Sequence, residues 1–110
     1  GKAAEGAAIA KDVIRTAQPD EKDLLADAFT ALGACQRAGG QDQDAIIAFL
    51  TVDLVYSGVP SAHAEALFNL VSLWAASNQP ERSRQAAQML ATAYPTSSWT
   101  AKLAGAGKSS

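Results

Sequence analysis

Few residues of this 110-residue chain carry reactive groups, and they are scattered. His63 is the single histidine and Cys35 the single cysteine. A thiol nucleophile needs an imidazole beside it, and that imidazole needs a third group to orient it. His63 and Cys35 fall on segments that could be neighbours. Cys35, however, shares an apolar stripe with Leu32, where a cysteine behaves as a small hydrophobe. The expectation is a core cysteine, a solvent-facing His63 near a helix start, and no catalytic residue. One histidine and one cysteine are too few for a zinc site. Asp42, Asp44 and Asp53 lack the glycine and terminal glutamate of a calcium loop. No metal and no cofactor is expected.

Two further patterns carry little chemistry. Gly105-Ala106-Gly107-Lys108-Ser109-Ser110 has the ending of a phosphate-binding loop. That motif needs a glycine where Lys102 stands, a strand before it and a helix after it. Residues 105–110 are read as a flexible tail. Asp20, Glu21, Asp23 and Asp27 crowd one helix start, where carboxylates offset the helix dipole. The lesser reading of that cluster is a surface for a basic partner.

Composition narrows the class. Hydrophobic residues make up 48% of the chain, an ordinary globular share, and the length suits one domain. Alanine fills 25 positions, which favours helices that approach closely. Val, Ile and Thr never alternate cleanly with polar residues, so strands are not expected. Net charge is -2 with no basic patch, which argues against nucleic acid. No apolar run reaches the roughly 18 residues of a membrane span, so direct membrane insertion is not expected. No signal peptide is visible, and the lone cysteine suits the cytoplasm or a periplasmic, cell-envelope setting equally.

These residues must be positioned by helices. Ile9, Val13, Ile14 and Ala17 form one stripe over residues 3–17. Pro19-Asp20-Glu21 starts a second helix that ends at Gly39-Gly40. A third runs from about Asp42 to Tyr56, with Ala45, Ile46, Phe49 and Val52. A fourth spans about Ser61 to Ala76, with Leu67, Leu70 and Trp74. Asn78 and Glu81 have the spacing of a capping box at the start of the fifth, which ends at Pro95. Ser97 or Ser98 begins a short sixth turn with Trp99 and Leu103. Short connections make neighbouring helices antiparallel.

The chain also matches itself at a shift of 38 residues. Ala26, Ala28, Leu32, Ala38, Gln41, Ala48 and Tyr56 fall on Ala64, Ala66, Leu70, Ala76, Gln79, Ala86 and Tyr94. The breaks coincide too: Gly39-Gly40 meets Ser77-Asn78, and Ser57 meets Pro95. A fixed period of this kind is the mark of stacked helix pairs.

The motif Leu32-Gly33, Gly40, Ala45, Phe49 and Val52, echoed by Leu70, Trp74, Ser83, Ala87, Leu90 and Pro95, resembles the tetratricopeptide repeat. Departures are Gln36 for an aromatic, Val71 for glycine and Ala87 for phenylalanine. The period also exceeds the usual 34. A long period with Tyr94-Pro95-Thr96-Ser97 is similar to the bacterial cell-envelope branch, of Tol–Pal-associated or outer-membrane assembly lipoprotein type. The resemblance implies an all-α fold of five helices in antiparallel pairs, stacked as a short right-handed solenoid with a C-terminal capping turn. One domain would cover 1–104: a half repeat at 3–18, repeats at 20–57 and 61–95, and a cap at 97–104.

The family's first helices line a concave groove that binds a partner protein or peptide. Carried over, the groove positions are Asp27, Thr30, Ala34, Arg37, Glu65, Phe68, Asn69 and Ser72. Phe68 is the natural anchor, unless it packs on its own neighbouring helix. Thr30 and Ala34 stand where carboxylate-clamping repeats need Lys and Asn, so chaperone-tail binding is disfavoured. The chain starts at what reads as a second helix, which implies a fragment of a longer protein or self-association through exposed repeat ends. The competing functions are a structural or oligomerisation domain and, more remotely, a small-ligand bundle around Trp74 and Phe68. A closed bundle with an internal cavity would favour the latter.

Overall fold

The computed structural model describes residues 1–108. These form six helices and no strand: α1 (Lys2–Thr16), α2 (Lys22–Ala38), α3 (Asp42–Val55), α4 (Pro60–Ala76), α5 (Pro80–Ala93) and α6 (Ser98–Lys108). The all-α expectation holds, but the count is six rather than five. The sixth element is an 11-residue helix, not a short turn. Residues 105–108, read from sequence as tail, are its last turn. Their glycines weaken helix propensity locally. Docking of Trp99 and Leu103 against the main core carries the helix through them. Residues 109 and 110 of the expected tail lie outside the described residues.

The 38-residue shift reappears in the backbone. It carries α2 onto α4 and α3 onto α5 at both ends, and the start of α4 onto the start of α6. Turn hydrogen bonds follow the same register. Gly40 N–H donates to Arg37 O and Gln41 N–H to Gln36 O. Asn78 and Gln79 N–H donate to Ala75 O and Trp74 O in the same way. This double bond closes a helix on a left-handed residue, here Gly40 at φ 79° and Asn78 at φ 63°. The capping-box expectation is thereby corrected: Asn78 ends α4, and the residue capping α5 is Gln79, without a side-chain bond. Asparagine is among the few side chains that tolerate this conformation, which is why it can stand in for Gly40.

Each helix packs on its chain neighbour, and α4 also touches α2 and α6. By contrast, α3 and α5 nowhere bring Cα atoms within 8 Å of each other, and neither do α1 and α3. The result is an open array of 40 × 29 × 21 Å in which α2, α4 and α6 lie side by side. The core gathers Phe49, Val52, Leu67, Leu70, Leu73 and Leu90 from α3, α4 and α5. A smaller cluster of Ala10, Leu32 and Ala48 holds α1.

Side-chain size distinguishes the two copies of the period. Gly33 lies flat against Phe49: a Cβ built there would stand 2.8 Å from the ring. One period on, the same two positions hold Val71 and Ala87. In the first pair the larger residue thus stands on α3 and in the second on α4.

Candidate functional site

The face shared by α2, α4 and α6 holds the sequence-derived groove residues. Asp27, Ala34 and Ser72 are exposed; Arg37, Glu65, Phe68 and Asn69 are half-buried. The antiparallel stack brings α2 and α4 together here, and Arg37 Nη1 donates to Asn69 Oδ1 at 2.9 Å. Asn69 Nδ2 donates in turn to Glu65 O, so its side chain is oriented from both ends. Burial, then the Asp27 carboxylate, pushes the Glu65 carboxyl above its ordinary range, while Lys102 of α6 pulls it back. All three helices therefore contribute charge to one strip.

Two residues of the set behave otherwise. Thr30 is buried, 3% exposed, and its hydroxyl donates to Ala26 O at 2.6 Å. It belongs to the core of α2 and does not line this face. The reason is angular: Thr30 lies three residues after Asp27 and two before Leu32, on the edge turned towards the neighbouring helices. Phe68 rests on Trp99 of α6, ring centroids 5.2 Å apart. Its ring is thus covered on one side from within the chain. Lys102 Nζ lies over the other aromatic, 4.6 Å from the Trp99 ring centre.

His63 overturns its expectation. It is 5% exposed rather than solvent-facing. Its position one period earlier is the core residue Leu25. The start of α4 lies between the ends of α3 and α5, because neighbours run antiparallel. There His63 Nε2 meets Asp53 Oδ1 at 2.6 Å and Nδ1 meets Tyr94 Oη at 2.6 Å. An ionised Asp53 can only accept, so Nε2–H donates to it. In the neutral ring Nδ1 then accepts the Tyr94 hydroxyl proton. Burial, then Asp53, raises the Tyr94 phenol above its usual value, so it is a hydrogen-bonding group and not a nucleophile at neutral pH. Both ring nitrogens are engaged, leaving none for Cys35. Cys35 itself sits half-exposed at the α1–α2 seam, its Sγ 2.6 Å from a Cβ built on Gly6.

Sequence reasoning missed Asp53, Tyr94, Trp99 and Lys102 as partners. Asp53 lies 10 and Tyr94 31 positions from His63, and no local spacing announces such pairs. The one available signal was a polar His63 at a position that the earlier copy fills with leucine. Among the described residues no cluster of three metal-ligating side chains occurs. No described helix is long and apolar enough to cross a membrane. Compared with protein-family models, curated proteins and solved structures, the chain matches none.

Proposed function

We propose that this chain is a tetratricopeptide-like scaffold that binds a partner protein or peptide on the face formed by α2, α4 and α6. The observation that carries the reading is the 38-residue register of helix boundaries and turn bonds, which sets those three helices in one row. A row of equivalent helices offers successive, similarly oriented side chains, which suits an elongated ligand. Arg37, Glu65, Asn69 and Lys102 supply donors and acceptors for a peptide backbone. Phe68 and Trp99 supply an apolar step between them. The proposed role is recognition, since the face offers charged, amide and aromatic side chains to a ligand. The period and Tyr94-Pro95-Thr96-Ser97 keep the bacterial cell-envelope branch as the narrower form of the proposal.

A library of immobilised random peptides tests it. Enriched binders should lose binding to Arg37→Ala and Glu65→Gln proteins that remain folded by circular dichroism. Binders indifferent to both substitutions would sink the assignment of this face. A mass that rises with concentration, abolished by the same substitutions, would give the face to self-association instead.

A further inference from the structure

The opposite side of the array has its own cleft. The gap between α3 and α5 holds about 280 Å3, floored by Leu67, Leu70 and Trp74 of α4. Leu54 on α3 and Met89 on α5 form its walls, 76% and 46% exposed. The period supplies an internal control. One copy earlier, the positions of Leu54, Trp74 and Met89 hold Thr16, Gln36 and Thr51. The same backbone therefore forms with polar residues there, and the fold does not demand the apolar ones. Large exposed apolar side chains that packing does not require mark an interaction surface.

Charge defines the occupant. Asp53 lines the α3 wall, and the buried His63 fixes its carboxylate through Oδ1. Arg82 lines the α5 wall with its guanidinium 4.9 Å from the Trp74 ring centre. Among the described residues Arg82 makes no ion pair, and it is not paired with Asp53. Opposite charges thus stand on opposite walls of an apolar trough. The cleft's polar side chains are few, Asp53, Arg82 and Gln85 around an apolar floor, so an extended peptide would find partners for only some of its N–H and C=O groups. A helix brings its backbone satisfied and presents only side chains.

We propose that the α3–α5 cleft is a second docking site, and that its occupant is an amphipathic helix of a partner protein. Its apolar stripe lies on Leu67, Leu70 and Trp74, with a basic residue on the flank facing Asp53 and an acidic one facing Arg82. The site is independent of the α2–α4–α6 face.

A fluorescence titration tests it on the full chain. Trp99→Phe leaves Trp74 as the only tryptophan. The probe is a synthetic helix of about four turns, with a leucine stripe flanked by lysines on one side and glutamates on the other. Saturable, micromolar change in Trp74 emission is expected. Leu54→Glu and Met89→Glu, both on exposed positions, should each weaken it about tenfold or more. Arg82→Glu should weaken it too, and replacing the peptide's glutamates by lysines should restore it. Arg37→Ala, on the other face, should leave the affinity unchanged. No saturable signal, or an affinity indifferent to Leu54→Glu, overturns the proposal. So does a signal lost with Arg37→Ala, which would place the peptide on the α2–α4–α6 face. Self-association of the protein alone that Leu54→Glu abolishes would overturn it in favour of a second copy.

Discussion

Among the described residues, Asp53, His63 and Tyr94 are the one chain of side-chain hydrogen bonds that links α3, α4 and the end of α5. Two contributions of His63 can be separated: the volume it fills and the two bonds it makes. Asp53 and Tyr94 both keep some exposure, so water can serve them if His63 is lost. A leucine, as at Leu25, keeps most of the volume. His63→Leu is expected to stay within about 1 kcal/mol of the parent, while His63→Ala costs about 2–3 kcal/mol. Urea melts of both decide it: equal losses would mean that the bonds, not the packing, dominate. Glu65 gives a pH test. Its folded pKa is raised, so the folded chain holds that proton more tightly than the unfolded chain. Stability from this group is therefore lost as pH rises from the ordinary carboxylate range through the raised value. Glu65→Gln should raise Tm at neutral pH, with the gain vanishing below the carboxylate range. A Tm gain that persists at low pH would show a cause other than titration. At this scale little was legible in advance. Thr30 and His63 were placed on the surface, and both are core, because a three-residue difference in angle decides which neighbour a helix side chain meets.

The helices themselves were largely legible, since their ends are written in residues with strong local preferences. Pro60 and Pro80 occupy first-turn positions, where a missing N–H costs nothing. Gly40 closes α2 on a left-handed residue. The misreading of Asn78 is instructive. Its side chain suits a helix start, but its backbone serves the preceding helix end, and only the bonds of Asn78 and Gln79 to Ala75 and Trp74 distinguish the two. Pairing of helices supplies the element-scale prediction. Gly33→Val is expected to cost about 2–3 kcal/mol by overpacking against Phe49. Phe49→Ala should cost about 3–5 kcal/mol by leaving a cavity. The double substitution reproduces the Val71/Ala87 arrangement and should cost clearly less than the sum of the singles. Additive losses in a thermal-melt cycle would refute the exchange of bulk between helices.

At the scale of the molecule, stability should be uneven, because the helices differ in how many neighbours they pack on. The main core draws on α3, α4 and α5, whereas α1 has Ala10 as its buried residue and packs on α2. Native-state hydrogen exchange should show α1 opening first and α4 last. Uniform protection from α1 to α5 would mean one cooperative unit instead. The two proposed faces also belong to this scale. Neither is visible in any one helix: each needs equivalent helices set a fixed distance apart, on opposite sides of α4.

The helical class, five of the six helices to within a few residues and the 38-residue period were legible in the chain before its structure. These follow from local propensities and from residues that start or stop helices, effects that act within a few positions of the chain. Tertiary structure alone decided that α6 is a full helix, that His63 is buried between Asp53 and Tyr94, that Phe68 rests on Trp99, and that Leu54, Trp74 and Met89 line one cleft. Such pairings depend on the rotation and spacing of whole helices. Those are fixed by the summed packing of many side chains, including the exchange of Gly33 and Phe49 for Val71 and Ala87, and no short stretch of sequence encodes that sum.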